Sequence, residues 1–415
     1  MTGKNGIIVM KFGGTSVGDP EKIARVAGRV IKAKSSGSRV VVVVSAMGDT
    51  TDDLIELASK ISINPGRREM DMLLSTGEQI SIALLAMAIS EKGCSSISLT
   101  GNQAGIITDE VYSNAKIISI NNSRILRELK SGKIVIVAGF QGVNNAGDIT
   151  TLGRGGSDTT AVALAAVLDA KHCEIYTDVD GVYTADPNIV SEAKKIKGLS
   201  YEEMLELASS GAKVLHLRAV EFANKHNVVL HVRSSFNDNE GTWVMDESKI
   251  IEKMERPVVT GVTYDTNQVK ITVFGLKDIP GIAAKLFGAF AAENINVDLI
   301  VQNISEKGVS TISFTIGNED TAIAKKVLEG LKSRIEFSTA DINSAVAKVS
   351  IVGAGMQTHA GVASKMFDIL SGENINIEMI STSPIRISCV ILKEKVKSAV
   401  KALHSGFELD REKGL

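Results

Sequence analysis

The stretch Lys11-Phe-Gly-Gly-Thr-Ser16 directly follows the short apolar run Ile7-Ile8-Val9-Met10. The run predicts a buried strand that carries a lysine and two adjacent glycines to its C-terminal end. Open α/β sheets bind ligands at that edge. The glycines let backbone N–H groups approach an anion without a Cβ in the way, and the lysine adds positive charge. The phosphate-loop pattern Gly-x-x-x-x-Gly-Lys-Ser/Thr does not occur in the chain, so we expect an anion site of another kind.

Apolar runs continue along the first 250 residues in alternation with helical patterns. Residues 40–44 are five valines, and runs at 134–138 and 174–176 are each followed closely by a glycine or an Asp-Gly turn. Continuous β-branched runs are typical of strands buried on both faces. Helices are predicted between them over 20–33, 67–92, 158–170 and 201–209. The sequence therefore predicts an α/β fold with a mainly parallel sheet and helices on both faces, over residues 1–250.

Length and composition restrict the class of protein. A chain of 415 residues is expected to divide into two or three domains. The formal net charge of −2 argues against nucleic acid or an anionic membrane surface as a partner. The three cysteines show no disulfide or metal spacing, and no apolar stretch is expected to be long enough for a membrane helix. No signal peptide is recognised at the N-terminus, so a cytoplasmic protein is expected.

The last third of the chain repeats itself. Gly281-Ile-Ala-Ala-Lys-Leu-Phe and Glu293-Asn-Ile-Asn-Val-Asp-Leu-Ile recur 80 residues later as the similar segments that begin at Gly361 and Glu373. Each copy reads as a strand, a helix and further strands, which predicts two α+β units of the order β-α-β-β-α-β. We place them at 261–340 and 341–415, after a junction at 240–257. A strand at 258–266 could cross between the units, so their boundaries could interleave.

A second glycine-rich segment, Thr151-Leu-Gly-Arg-Gly-Gly-Ser-Asp158, precedes a run of small and apolar residues. The order predicts a tight turn, a cap at Ser157 or Asp158 and a buried helix. The free N–H groups of such a helix attract an anion, and Arg154 offers a fork suited to a carboxylate or phosphate. The alternative is an ordinary capped helix with Arg154 in solvent.

A third segment, Thr177-Asp-Val-Asp-Gly-Val-Tyr-Thr-Ala-Asp-Pro187, again follows a strand. Its hydroxyls, carboxylates and aromatic ring could hold a nucleoside. By itself it is equally well a turn rich in Asp and Gly.

Together these three segments resemble the amino-acid kinase family, closest to its aspartate kinase group. Two further stretches, Ser45-Ala-Met-Gly-Asp-Thr-Thr-Asp52 and the interrupted pattern from Arg68 to Glu78, match that group too. The repeated C-terminal unit resembles a pair of ACT domains, which are ferredoxin-like α+β modules that sense amino acids. The resemblance covers essentially the whole chain. Since no second catalytic domain is recognised, the chain resembles the monofunctional form of the enzyme.

The resemblance implies transfer of the γ-phosphoryl group of ATP to the β-carboxylate of L-aspartate, the first step of lysine, threonine and methionine biosynthesis. A carboxylate is already nucleophilic, so no general base is required. Two alternatives stay open: a related kinase acting on glutamate, acetylglutamate or UMP, and an ACT-containing amino-acid sensor without catalytic activity.

The resemblance also implies roles for individual residues. Lys11 and Lys213 would hold the phosphates from opposite sides, with Asp158 orienting both lysines. Glu78 would pair with the ammonium of aspartate and Arg154 with its non-reacting carboxylate. The expected ATP contacts are Lys11, Phe12, Gly13, Gly14, Ser45, Thr177, Asp178, Tyr183, Thr184, Ala185, Asp186, Pro187, Asn188 and Lys213. The expected further substrate contacts are Thr15, Ser45, Asp49, Thr50, Thr51, Gly155, Gly156 and Ser157. Mg²⁺ would lie mainly on ATP oxygens and water, without a dedicated protein cage.

In ACT pairs, effectors bind at the interface between modules, and the resemblance implies lysine, threonine or both as inhibitors here. The expected contacts in the first copy are Asp278, Pro280, Gly281, Ala283, Asn296, Val297, Asp298 and Gln302. Those in the second copy are Val362, Ala363, Asn374, Asn376, Ile377 and Thr382. Thr358-His-Ala360 replaces Asp278-Ile-Pro280 in the second copy, which puts equal binding at both copies in doubt. Paired modules further imply a homo-oligomer, with or without a shorter C-terminal subunit.

Overall fold

A computed structural model describes residues 6–212, 214–250, 257–304 and 308–411. Residues up to 250 form strands and helices in alternation. The strands are, in chain order, β1 (Ile7–Phe12), β2 (Arg39–Val44), β3 (Ser96–Leu99), β4 (Ile106–Thr108), β5 (Ile117–Ile120), β6 (Ile134–Ala138), β7 (Gln141–Val143), β8 (Ile149–Thr151), β9 (Cys173–Thr177), β10 (Gly198–Ser200), β11 (Leu230–Ser234) and β12 (Thr242–Met245). The helices are α1 (Pro20–Ser35), α2 (Thr50–Ile61), α3 (Arg67–Glu91), α4 (Ser123–Lys130), α5 (Gly156–Val167), α6 (Tyr201–Ser209) and α7 (Leu217–His226).

An eight-stranded sheet in the order β10-β12-β11-β9-β1-β2-β6-β3 forms the centre of this region. Its neighbouring strands are parallel except β11 and β12. The register places Phe12 beside Val44 and Tyr176, and Val44 beside Ala138. The carboxyl ends of four central strands therefore lie at one edge of the sheet, where ligands bind in this class of fold.

Both faces of the sheet are covered, as the valine run predicts. On β2, Val41 and Val43 belong to one apolar core with α5 and α7, whereas Val42 and Val44 belong to a second core with α1 and α3. Successive side chains point to opposite faces of a strand, so an unbroken apolar run supplies both cores. Fully burying one such side chain contributes about 1.5–3 kcal/mol. The predicted parallel sheet with helices on both faces is confirmed.

Helix α3 corrects one expectation. It has 25 residues and a mean hydropathy of 1.6 over its most apolar window, which by length and composition is enough to cross a membrane. In the structure α3 instead packs against α1 and the sheet through Ile82, Leu85 and Ile89, and it carries buried Asp71 and Glu78. The chain thus contains an apolar segment of membrane-spanning length, and this fold uses it as a core helix.

Other local predictions were incomplete. A small sheet, β5-β4-β7-β8, was not predicted, and neither were helices α2, α4 and α7. Residues 242–245, expected in the junction, form β12 and pair with β11 through Trp243 and His231. These two rings stack with centroids 3.7 Å apart, which explains why an aromatic residue lies in this strand.

The remaining described residues form one six-stranded antiparallel sheet in the order β14-β15-β13-β16-β18-β17, covered by helices. Its elements are β13 (Gly261–Lys277), α8 (Ile282–Ala292), β14 (Val297–Ile304), β15 (Val309–Ile316), α9 (Thr321–Leu331), β16 (Thr339–Val352), α10 (Val362–Gly372), β17 (Met379–Ser383), β18 (Arg386–Leu392) and α11 (Val396–Gly406). The two predicted α+β units are present. Their helices pack on two separate apolar cores.

The two long strands β13 and β16 each pass through both units. Gly261 of β13 pairs with Val352, beside the second copy, whereas Phe274 of β13 pairs with Thr339, beside the first. A division at 340/341 falls inside β16. The domain boundaries given above stay predictions.

The core of the second unit also contains two residues from the N-terminal region, residues 6–250. Ala185 and Val190 are buried among Val262, Ile351 and Leu403. The segment that follows β9 is therefore anchored on the C-terminal unit.

Candidate active site

The lysine of the first motif forms an ion pair at the carboxyl edge of the sheet. Lys11 lies in β1, and its Nζ is 2.5 Å from Oδ1 of Asp158 in the first turn of α5. Both side chains are only 12% exposed. A Cβ placed on Gly13 would lie 3.6 Å from the same Nζ, so the ammonium points at the backbone of the glycine pair. The predicted association of Lys11, Asp158 and the glycines is thus present in the structure.

The glycines also permit a close approach between two strand ends. A Cβ on Gly14 would lie 2.7 Å from the carbonyl oxygen of Ala46, and Gly48 N donates to Gly14 O at 3.1 Å. Ser45 N donates to Phe12 O at 3.1 Å. The loop 45–49 after β2 is therefore held against the loop after β1, with Thr15 and Asp49 exposed beside it.

Helix α5 begins two residues earlier than predicted, at Gly156, and has no side-chain cap. Gly155 adopts φ 69°, and the hydroxyls of Thr159 and Thr160 donate back to the carbonyl oxygens of Gly155 and Gly156. The left-handed turn at Gly155 replaces the expected Ser157 or Asp158 cap, because both of these residues already lie inside the helix. The first turn keeps free N–H groups beside Lys11.

Glu78 of α3 is a buried carboxylate with one oxygen unused. Its Oε1 accepts a hydrogen bond from Ala46 N at 3.1 Å, while Oε2 has no hydrogen-bond partner among the described residues. The residue is 3% exposed, and this burial raises the pKa of Glu78 to about 7. Gly77 lets α3 approach, since a Cβ there would lie 2.8 Å from that of Ala46. A ligand cation beside the loop 45–49 would satisfy the free oxygen.

Arg154 is exposed at the tip of the loop between β8 and α5. Burial lowers the pKa of His216, and the charge of Arg154 adds a minor contribution in the same direction. Hydrogen bonds to the Glu319 carboxylate lower the pKa of that group, and Arg154 again adds a smaller contribution. Arg154 therefore lies at the border between the catalytic half and the C-terminal units.

Asp71 anchors this loop, a role that the sequence did not reveal. Its carboxylate is completely buried and accepts hydrogen bonds from the backbone and hydroxyl groups of both Ser113 and Thr151, at 2.8–3.2 Å. Arg218 adds hydrogen bonds to Leu152 O and Ala115 O, each of 2.7 Å. Asp71 belongs to one of the recognised stretches, so the motif was a signal, but its partners lie far away in the sequence.

A cavity of about 480 Å³ opens beside the segment after β9. Its walls are residues of that segment, of the connection after α6 and of β13. Among the predicted ATP contacts it is lined by Asp178, Tyr183, Ala185, Asp186, Pro187 and Asn188. Its other lining residues include Gly211, Ala212 and Val214 and the β13 residues 262–267. The predicted contact Lys213 lies outside the described residues.

Thr184 is not part of the cavity lining. It is fully buried, and its Oγ1 lies 2.9 Å from Nε2 of His404 in α11 and accepts a hydrogen bond from Lys194 N. Within the described structure Thr184 therefore fixes the segment to the second C-terminal unit, and its side chain does not face the cavity.

Asp186 is held from both sides of the cavity. Its Oδ2 accepts a hydrogen bond from the Tyr264 hydroxyl at 2.8 Å, and its Oδ1 accepts from Asn188 N at 2.9 Å. Tyr264 lies on β13, so a strand of the C-terminal sheet contributes to the wall and orients one of its carboxylates. The sequence did not suggest this residue.

The predicted effector residues lie at equivalent places in the two copies. In each copy they occupy the start of the first helix and the entry into the following strand. Most are exposed, and Val362 is buried in the core of the second unit. Asp298 is bound by Lys348, a lysine of the other unit. Apolar residues of both edge strands, Leu299 and Met379, share one small cluster with Val346 and Val390.

Comparisons with known proteins agree with this architecture. A family model described as "Amino acid kinase family" matches residues 6–234, and one described as "ACT domain" matches residues 271–330 and 349–407. The chain is 50% identical over 409 residues to "Aspartate kinase Ask_LysC" of Stutzerimonas stutzeri, covering 98% of each chain. It is 52% identical over 406 residues to an aspartokinase of Mycolicibacterium smegmatis, covering 97% of this chain and 96% of that protein.

Two solved structures of E. coli aspartokinase III are similar over the whole fold. The one in complex with aspartate and ADP has a TM-score of 0.82 at 28% identity, and covers 96% of this chain and 99% of that one. The one in complex with lysine and aspartate has a TM-score of 0.76 at 27% identity, and covers 97% and 99%.

Proposed function

The chain belongs to the amino acid kinase family, and from this membership and the geometry of the site we propose that it acts as an aspartate kinase. In this reaction a β-carboxylate oxygen of L-aspartate attacks the γ-phosphorus of ATP. The bond from that phosphorus to the β,γ-bridging oxygen breaks, which gives 4-phospho-L-aspartate and ADP. No proton has to be removed from the nucleophile, because the β-carboxylate is ionised at neutral pH.

The main difficulty of this reaction is repulsion between two anions. Lys11, the Gly13–Gly14 backbone and the first turn of α5 provide positive charge and N–H donors at one edge of the sheet. Asp158 keeps the ammonium of Lys11 aimed at this edge. Lys213 would complete the cationic site from the connection after α6. Catalysis is then mostly positioning and charge neutralisation.

The unused oxygen of Glu78 is the observation that carries the choice of substrate. A buried carboxylate with one free oxygen is costly unless a cation binds there. The ammonium of an amino acid supplies that cation, whereas UMP has none. Arg154 would bind the α-carboxylate, aided by Thr51 and Ser157.

The cavity beside Asp186 and Tyr183 is the proposed nucleotide site. It is large enough for a nucleoside, and it is lined by Asp178, which directly follows β9, the strand that pairs with the Lys11 strand β1. Within the described part of the chain no group of three or more His, Cys, Asp or Glu side chains could hold a metal ion. Mg²⁺ would be carried by phosphate oxygens and water, with exposed Asp178 as an outer contact. Bound in this way, Mg²⁺ would neutralise phosphate charge.

The direct test is ADP formation from ATP and Mg²⁺ with L-aspartate as acceptor, compared with L-glutamate, N-acetyl-L-glutamate and UMP. Capture of the acyl phosphate by hydroxylamine identifies the product. Turnover with L-aspartate alone supports the proposal. Turnover with another acceptor would assign a sibling kinase, and binding of amino acids without turnover would assign a sensor.

The C-terminal units are the proposed regulatory part. Lysine, threonine or both would bind between the two copies and inhibit the kinase, as the resemblance implies. Assembly into a homo-oligomer through these units, with or without a shorter C-terminal subunit, belongs to the same proposal. It is supported by the exposed apolar side chains of the edge strands, Ile300 on β14 and Ile380 on β17.

A further inference from the structure

Two equivalent ion pairs join the two C-terminal units. Lys348 of the second copy binds Asp298 of the first, and Lys270 of the first copy binds Glu378 of the second. Asp298 and Glu378 occupy the same place in the repeat, after Asn-Ile-Asn, and each lysine is the second residue of the motif Val/Ala-Lys on the first strand of its copy. Each cation therefore reaches across the pseudo-symmetric interface.

The two pairs differ in their surroundings. Lys270 Nζ lies 2.5 Å from Glu378 Oε2, and both side chains are 17% exposed. Lys348 is completely buried, and its Nζ makes a second hydrogen bond, of 3.2 Å, to the carbonyl oxygen of Ser209. Ser209 is the last residue of α6 in the catalytic half. Only the Lys348 pair, among the described contacts of these two lysines, reaches out of the C-terminal sheet.

Helix α6 is docked on the C-terminal sheet along its length. Glu206 accepts hydrogen bonds from Ser383 at 2.7 Å and forms an ion pair with Arg386 at 2.9 Å. Glu203 accepts a hydrogen bond from Thr260 at 2.7 Å. Lys348 holds the C-terminal end of this docked helix.

That end leads directly into the wall of the nucleotide cavity. Gly211 and Ala212, which follow α6, line the same cavity as Asp186. Gly211 adopts φ 114°, and a Cβ on it would overlap the carbonyl oxygen of Tyr264. Because this connection packs directly against β13, a shift of Ser209 would move the residues that line the cavity and change its shape.

We propose that Lys348 is a positioning residue that couples occupancy of the effector site at Asp298 to the shape of the nucleotide cavity. This inference rests on the proposed regulation of the kinase. An effector has an ammonium group, which competes with Lys348 for the carboxylate of Asp298. A buried lysine that loses part of its partner must find other acceptors, so its hold on the Ser209 carbonyl changes and the cavity wall moves with it. Lys270 forms the equivalent ion pair with Glu378, but none of its described contacts reaches the kinase domain. It therefore does not transmit effector binding to the nucleotide cavity.

The test uses the full-length chain and compares Lys348→Met with its repeat-related counterpart Lys270→Met. Methionine fills the buried space of the lysine stem, and Asp298, with 30% of its side chain exposed, is then solvated. Nucleotide affinity is measured by calorimetry with a non-hydrolysable ATP analogue, with and without L-lysine and L-threonine, singly and together. Effector affinity is measured in the same way without nucleotide.

We expect Lys348→Met to bind the effectors as well as the wild-type chain or more tightly, because Asp298 loses its competing cation. The factor by which effectors weaken nucleotide binding should fall at least fivefold. Lys270→Met should keep the wild-type factor. A purely structural role of Lys348 would not preserve effector affinity while reducing the factor by which effectors weaken nucleotide binding. Lys348→Gln, which keeps an uncharged donor, replaces the methionine variant if that variant is not folded.

A wild-type coupling factor in folded Lys348→Met or Lys348→Gln would overturn the inference, and so would an equal loss in Lys270→Met. A wild-type chain that phosphorylates L-aspartate but binds neither amino acid would overturn the inference and leave the proposed function intact. A chain without kinase activity would overturn the proposed function alone, since the coupling is measured by binding.

Discussion

The ammonium of Lys11 at the end of β1 lies 2.5 Å from the carboxylate of Asp158 in the first turn of α5. The pair joins two glycine-rich loops that lie far apart in the sequence, and its small exposure keeps the lysine in one orientation. The carboxylate offsets the charge of the lysine, and the helix terminus beside it favours an incoming anion. The site is thus electrostatically prepared for a phosphate.

Replacing Lys11 by methionine should lower kcat by about 10²–10³-fold, the usual effect of removing one donor that stabilises developing charge. The melting temperature should also fall, because the Asp158 carboxylate, only 12% exposed, loses its ion-pair partner. Steady-state ADP formation measures the loss. Lys22→Met is the matched control, since its ion pair with Asp19 lies on an exposed helix start. Full activity of Lys11→Met would contradict the proposed catalytic role.

Glu78 predicts a pH dependence of aspartate binding. Its pKa of about 7 means that the carboxyl group is about half protonated at neutral pH, and only the ionised form binds an ammonium. The value of kcat/KM for L-aspartate should therefore rise between pH 6 and pH 8. Glu78→Gln should lower it and remove this rise, whereas the KM for ATP should remain near the wild-type value. An unchanged pH profile in Glu78→Gln would exclude Glu78 as the ammonium partner.

The same pKa predicts an effect on stability with a definite sign. The folded-state pKa of Glu78 is raised, so its protonated form suits the fold, and the relative stability of the wild type falls as the pH rises from about 4.5 to 7. Over this range the free energy of unfolding of Glu78→Gln should increase relative to that of the wild type, by up to about 3 kcal/mol. Urea unfolding at several pH values measures the difference. A constant difference between the two proteins would contradict the buried, protonated carboxyl group.

Tyr264→Phe should weaken nucleotide binding. The substitution removes the hydrogen bond to Asp186 and leaves the ring in place. One hydrogen bond to a charged group contributes about 1.5–3 kcal/mol, so the KM for ATP should rise about tenfold or more while the KM for L-aspartate stays constant. Tyr112→Phe is the control, because its hydroxyl binds Asp148 away from the cavity. Equal KM values for ATP in Tyr264→Phe and wild type would remove β13 from the nucleotide site.

Asp71→Asn should destabilise the protein by about 3 kcal/mol. The buried carboxylate accepts hydrogen bonds from four donors, and an amide would turn its NH₂ group against some of them. The loop that carries Arg154 should loosen, which raises the KM for L-aspartate. Asp148→Asn removes a solvent-screened ion pair with Arg68 and should destabilise the protein much less. Thermal unfolding and aspartate kinetics of both variants test this; similar losses in the two would contradict it.

The parallel sheet was predictable because its signal is local. The valine run of β2 supplies two cores by alternation, and the glycines after β1 mark the strand end that binds anions. The start of α5 was misplaced because the pair Ser157-Asp158 suggests a helix cap. In the structure the left-handed turn at Gly155 takes that place, and the helix begins before the pair. The small sheet was missed because β4, β7 and β8 have three residues each, too few to show a period.

From the residues alone came the parallel sheet with helices on both faces, the repeat, and the chemical groups after β1, before α5 and after β9, since spacing and residue type act over a few positions. Contacts between surfaces distant in the chain came only from the folded molecule: Asp71 with Thr151, Tyr264 with Asp186, and Lys348 with Ser209. Which helix docks on which sheet depends on the shape and charge of complete surfaces, and no local pattern in a single sequence contains that information.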